Sequence, residues 1–145
     1  MVQSVLGSLT LGYRPLWGRS REVVGVQLVV NEGQGPQPDA LHLLRILDEL
    51  WSASSPPLVL SLQSPALLAS LLEQAQPGAP AFEVPGAWLS QDAALRRRVV
   101  AAQGRGLRMV WRDQVRQAPP PDIARCFERK LFSLDTADTL VALAA

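Results

Sequence analysis

The feature that most constrains this chain is the exchange of two hydrophobic periods along its length. Short apolar runs recur: "VVGVQLVV" (23–30), "LVLSL" (58–62), "AFEV" (81–84), "LRMVW" (107–111) and "LFSLD" (131–135). Runs of this length, rich in valine and leucine, read as strands. Between them lie longer stretches with helical spacing. In "DALHLLRILDELW" (39–51) the residues Ala40, Leu43, Leu44, Leu47, Leu50 and Trp51 form one apolar stripe. Strands alternating with helices fold as a parallel sheet covered by those helices, an α/β architecture. The N-terminal part departs from this rule. "LTLGYRPLWGRSREVVGVQLVV" holds two strand-like pieces joined by the polar turn "GRSRE", which predicts an antiparallel hairpin.

Local punctuation places most boundaries. The first helix opens near Pro38 and Asp39, and the prolines of "SSPP" (54–57) stop it. Ser64 is an N-cap with Pro65 at the first helical position of "PALLASLLEQA". Ser90 is expected to cap "QDAALRRRVVAAQ", with Gly104 and Gly106 ending that helix. A short helix is expected over "PDIARCFERK" (121–130), and a last one over "TADTLVALAA", capped by Asp135 or Thr136.

Totals narrow the function. The 145 residues suit one domain, and 48% hydrophobic against 19% charged content supports a buried core. With 14 basic and 13 acidic residues the net charge is +1, too balanced to steer nucleic acid or an acidic membrane. No apolar run nears the roughly 18–20 residues of a membrane span. Arg14 is the first basic residue, so the start lacks the charged region of a secretory signal; the expected setting is the cytoplasm. A single cysteine, Cys126, precludes an internal disulfide and reads as a packed thiol. Arg96, Arg97 and Arg98 spread around a helical turn and read as a solvated face rather than a phosphate patch. His42 lies off the apolar stripe and reads as a surface residue. Of the four tryptophans, Trp17 and Trp88 stand in loop-like contexts suited to protein contact.

In parallel α/β folds, ligands meet the C-terminal ends of strands. The polar residues there are Gln27 and Asn31, Ser61 and Gln63, Glu83, Arg112 and Asp113, then Ser133 and Asp135. That set holds three carboxylates, no histidine, no cysteine and no glycine-rich phosphate loop. Three carboxylates on three strands are enough for one magnesium ion. Arg112 can instead pair with Glu83, and Gln27 can bond to neighbouring backbone or to Ser61.

"GYRPLWGRSREVVGVQLVV" resembles the opening of EAL domains, bacterial phosphodiesterases that cleave cyclic di-GMP. "LVLSLQS" is similar to that family's Ile-Asn-x-Ser strand, and "AFEVPGAWL" to its Leu-Glu-Ile-Thr-Glu strand. "GRGLRMVWRDQ" is similar to its Ala-Leu-Asp-Asp-Phe-Gly segment, and "FERKLFSLD" to the strand ending in Lys-x-Asp. These segments follow the family's order over roughly residues 10–136. "VVGVQLVV" places the chain nearest the EAL-like part of proteins that continue into an HDOD domain.

The resemblance implies a TIM-like barrel and two metal ions held by acidic residues at strand ends. Residue by residue, most of that set is changed. The signature glutamate falls on Gln27, the asparagine ligand on Ser61, and the paired aspartates on Arg112 and Asp113. Glu83 is kept, but the second glutamate of its strand falls on Gly86. The lysine before the last aspartate falls on Ser133, with Asp135 retained, and Arg14 replaces the glutamine of the opening hairpin. A guanidinium among would-be ligands repels dications.

The expected fold is thus a partial or open EAL-type barrel, one domain over 1–145 that stops after about the sixth strand. The sheet then closes on a protein partner or a second copy, or the chain is part of a longer protein. The expected function is a non-catalytic signalling module acting through protein contact, without cofactor. One alternative is a cyclic di-GMP receptor using Arg14, Trp111 and Arg112; another is a residual phosphodiesterase requiring Mg or Mn.

Overall fold

The computed structural model describes residues 9–32, 39–51, 56–112 and 118–131. Six strands form one sheet in the order of the chain: β1 (Leu9–Trp17), β2 (Val23–Glu32), β3 (Leu58–Leu62), β4 (Ala81–Pro85), β5 (Met109–Arg112) and β6 (Phe127–Leu131). The first pair is antiparallel and all later pairs are parallel. The expected hairpin is present: Gly18 and Glu22 close its turn by a backbone hydrogen bond of 2.9 Å, with Arg21 at a positive φ of 65°. Among the described residues β1 and β6 remain the two open edges, so the sheet is mixed and unclosed.

The helices begin where acceptor side chains meet orphan amides. Asp39 caps α1 (Ala40–Leu50) by accepting from Leu41 N at 3.0 Å and His42 N at 3.4 Å. Ser64 caps α2 (Pro65–Gln74), accepting from Leu67 N at 3.3 Å with proline at the first position. The next helical stretch differs from expectation. It is two helices, α3 (Gly86–Gln91) and α4 (Ala93–Gly104), and Asp92 rather than Ser90 caps the second. The Asp92 carboxylate accepts from Ala94 N and Leu95 N, while Ser90 Oγ donates backward to Ala87 O at 2.9 Å inside α3. At the far end, Gly106 at φ 91° lets its N–H reach Gln103 O and the Leu107 N–H reach Ala102 O. This paired C-terminal cap consumes Leu107, so β5 starts two residues later than its apolar run.

The end of the described chain is also reassigned. Residues 121–130 are not a helix: a 3₁₀ turn at Ala124–Cys126 leads directly into β6. Ile123 and Cys126 are buried by that turn, and Phe127 packs edge-on against Trp111 at 5.1 Å. The described strand therefore opens on the charged "FERK" and reaches Leu131, the first residue of "LFSLD", whose other residues lie outside the described ones. The expected final helix lies outside the described residues.

Side-chain alternation gives the sheet two unlike faces. Leu28 and Val30, Leu58, Leu60 and Leu62, Phe82 and Val84, and Met109 and Trp111 enter the core beneath α1–α4. Each such buried aliphatic contributes about 1.5–3 kcal/mol. On the other face Val59, Ala81 and Val110 form a small buried cluster, on which Leu16 of β1 and Leu131 of β6 both pack. The first and last strands thus each add a side chain to this inner cluster. The close approach of β2 to the loop before β3 requires Gly25, where a Cβ would lie 2.8 Å from Pro57 O.

Candidate functional site

The inner face carries the polar residues singled out by the sequence. Gln27 and Glu83 are buried there, on β2 and β4, together with Ser61 of β3. Strands two apart in a sheet are separated by about 10 Å, a gap two long side chains can bridge if the intervening strand stays low. On β3 the inner-facing residues are Val59, opposite Gln27, and Ser61, opposite Val29. The small Ser61 leaves room above β3. Through it Gln27 Nε2 donates to both Glu83 oxygens, at 3.2 Å each.

Arg112 supplies the second partner. It ends β5, two residues beyond Val110, the residue paired with Glu83, and so lies diagonal to Glu83. Its Nε lies 3.4 Å from Glu83 Oε1. The Glu83 side chain is 1% exposed, while that of Arg112 is 48% exposed. A carboxylate so enclosed would be costly without compensation. Here its charge is met by a guanidinium reaching in from solvent and by a neutral amide from the opposite side. Arg14 stands opposite Gln27 in the β1–β2 ladder, on the same face, and is exposed.

Several expectations are thereby resolved. The pairing of Arg112 with Glu83 is present. The Gln27 amide goes to Glu83 rather than to Ser61 or backbone. Trp111 is a correction: it is 3% exposed and turned to the helix-side core, so it cannot stack on a ligand held at the inner face. The period of two in "MVWR" forces this, because Trp111 and Arg112 must point to opposite faces. Gly86, at the position of a lost glutamate, is buried as the first residue of α3 and offers no side chain. Asp113, Ser133 and Asp135 lie outside the described residues. Asn31 and Gln63 are exposed beyond the buried group.

A pair of metal ions does not fit this donor set. Both Glu83 oxygens already accept from Gln27, and a fixed cation stands where a dication would need an anionic ligand. Among the described residues no three His, Cys, Asp or Glu side chains gather into a metal-holding group.

The remaining sequence candidates are structural. Arg98 of α4 pairs with Glu73 of α2 at 2.7 Å, and Arg96 pairs with Asp122, while Arg97 makes no ion pair among the described residues. The Arg96 guanidinium holds the Asp122 carboxyl below the ordinary aspartate range. Cys126 is buried, and desolvation pushes its thiol above the usual range, as suits an inert packing residue. His42 is half-buried rather than free at the surface, and Trp88 packs on the core from within α3. Trp17 is exposed but ends strand β1 rather than standing in a loop. No described helix is long and apolar enough to cross a membrane.

The inner aliphatic cluster of Val59, Ala81 and Val110 escaped the sequence reading. Its signal was available only at Val59 and Ala81, which are apolar on the face that also carries the polar Ser61 and Glu83. The chain was compared with protein-family models, with curated proteins and with solved structures, and it matches none of them.

Proposed function

We propose that this chain is a non-catalytic, EAL-like regulatory module, a partial barrel that acts by binding protein rather than by cleaving a nucleotide. One observation carries the reading: the buried Glu83 is neutralised by Gln27 and Arg112. In a metal-dependent phosphodiesterase those positions would have to supply negative charge to hard cations. Here one is a neutral amide and the other a permanent cation. The ordering of the strands, with an antiparallel first pair and parallel successors, is compatible with the opening of such a barrel.

A second reading has one observation in its favour. Arg14 and Arg112 both stand on the inner face, where two guanidiniums suit an anionic ligand such as cyclic di-GMP. That receptor would lack the aromatic contact once assigned to Trp111.

Titration calorimetry with cyclic di-GMP, with and without magnesium or manganese, separates the readings when followed by product analysis. The expected result is no heat of binding and no linear dinucleotide. Linear product overturns the non-catalytic reading. Saturable binding without turnover, lost in Arg14→Ala or Arg112→Ala, replaces it with the receptor.

A further inference from the structure

The two edges of the sheet that stay open among the described residues are not alike. At β6 the three central residues, Glu128, Arg129 and Lys130, are all exposed and charged, a composition that keeps an edge strand hydrated. β1 is longer, nine residues against five, and its segment Leu9–Tyr13 carries no charge. All four large exposed hydrophobics of the described chain, Tyr13, Trp17, Val23 and Leu41, lie on β1, β2 or α1. Tyr13 is 63% exposed, at the border of an apolar groove that Leu43, Ile46 and Leu47 of α1 also line.

Pro15 gives the orientation of that edge. A proline is tolerated in a paired strand where its nitrogen faces away from the neighbour. Pro15 pairs with Val26, so its nitrogen faces the open side. By alternation Leu9, Leu11 and Tyr13 turn their N–H and C=O groups the same way. Pairing can therefore run over Leu9–Tyr13 and must end at Pro15.

We infer that this edge pairs antiparallel with the same edge of a second copy, about a two-fold axis at Leu11. The sequence Leu-Thr-Leu-Gly-Tyr suits a two-fold operation, because large residues alternate with small ones on either side of its centre. Leu9 then stands opposite Tyr13 of the second copy, and Thr10 opposite Gly12. Aliphatic–aromatic neighbours share one face, small residues the other, and no like charges oppose. The charges flanking the strand agree. The hairpin tip, with Arg19, Arg21 and Glu22, is net basic at one end of the β1–β2 ladder, and exposed Asp39 follows its other end. Antiparallel pairing brings the basic end of one copy toward the acidic end of the other. The result is a continuous sheet of twice six strands. This inference rests on the interaction-module reading and names a second copy as the partner.

Sedimentation velocity of the full chain over a concentration series tests it. The expected species has twice the 15.7 kDa mass of the chain. Leu11→Pro removes the donor at the two-fold centre, and Tyr13→Lys sets a charge opposite Leu9; each should weaken dimerisation at least about tenfold. Near-ultraviolet circular dichroism checks that the variants remain folded. Amide exchange on the unmodified chain provides an independent measurement: protection at Leu11 and Tyr13 should rise with protein concentration. A monomer throughout, a dimer unaffected by both substitutions, or concentration-independent exchange at those amides overturns the inference. A monomer that also neither binds nor cleaves cyclic di-GMP leaves the non-catalytic reading standing, so the two failures are distinguishable.

Discussion

The helix-covered face of the sheet and its inner face solve opposite problems with the same strands. The covered face is filled by leucine, valine, phenylalanine and methionine, whose contribution scales with the area removed from water. On the inner face a few small aliphatics surround a buried carboxylate whose partners come from strands far apart in sequence. The first is tolerant of chemistry and sensitive to volume; the second is the reverse. The comparison teaches that the inner polar group is a matched set rather than a reservoir of stability, since an apolar set of similar shape would serve as well.

Phe82→Ala tests the covered face and should have the largest effect, a loss of about 3–5 kcal/mol in chemical denaturation, because Phe82 is fully buried. On the inner face, Gln27→Leu alone leaves the buried Glu83 carboxylate with Arg112 as its one remaining partner among the described residues and should cost about 1–3 kcal/mol, whereas Gln27→Leu with Glu83→Leu should recover most of that loss. If the double variant is as unstable as the sum of the single changes, the matched-set view fails.

Gln27→Glu puts two carboxyl groups in hydrogen-bond range. One of them must hold a proton, so its folded-state pKa rises above the unfolded value. The sign follows: the variant approaches the parent in stability below the unfolded pKa and loses ground as pH rises through the folded one. Parallel denaturation series of both proteins check this, and no phosphodiesterase activity should appear, because Arg112 remains. The smallest effect belongs to Asp122→Asn at the exposed pair with Arg96. That carboxyl is held low in the folded state, so its contribution is present above the unfolded pKa and disappears as pH falls through the lower folded one. The parent and variant should therefore differ slightly at neutral pH and converge in strong acid.

What could be read from sequence follows the same division. Strand β3, the Ser64 cap, the opening of the first helix near Asp39 and the opening hairpin were legible because each depends on neighbours in the chain. The start of β6 was missed because an edge strand needs little apolar content, so "FERK" gave no hydrophobic signal. Asp92 displaced Ser90 as a cap through competition between two adjacent acceptors, which composition does not rank. At the inner site the Arg112–Glu83 pair was foreseen from charge, but the partner of Gln27 was not. That choice depends on the height of the residue at position 61 on the strand between them. Trp111 was grouped with Arg14 and Arg112 as a ligand contact, and alternation across the sheet separates it from Arg112.

The strand order has a consequence for how the chain acquires its structure. Every strand pairs with the one that precedes it in sequence, and no described strand is inserted between two earlier ones. Each pairing closes only a short loop, so the entropy lost at each step is modest. During synthesis a new strand can dock on an edge already in place, without waiting for distant sequence. Glu83 on the fourth strand would then meet Gln27 first and Arg112 only when the fifth arrives. The buried charge is provisionally satisfied by an amide until its counter-ion is made.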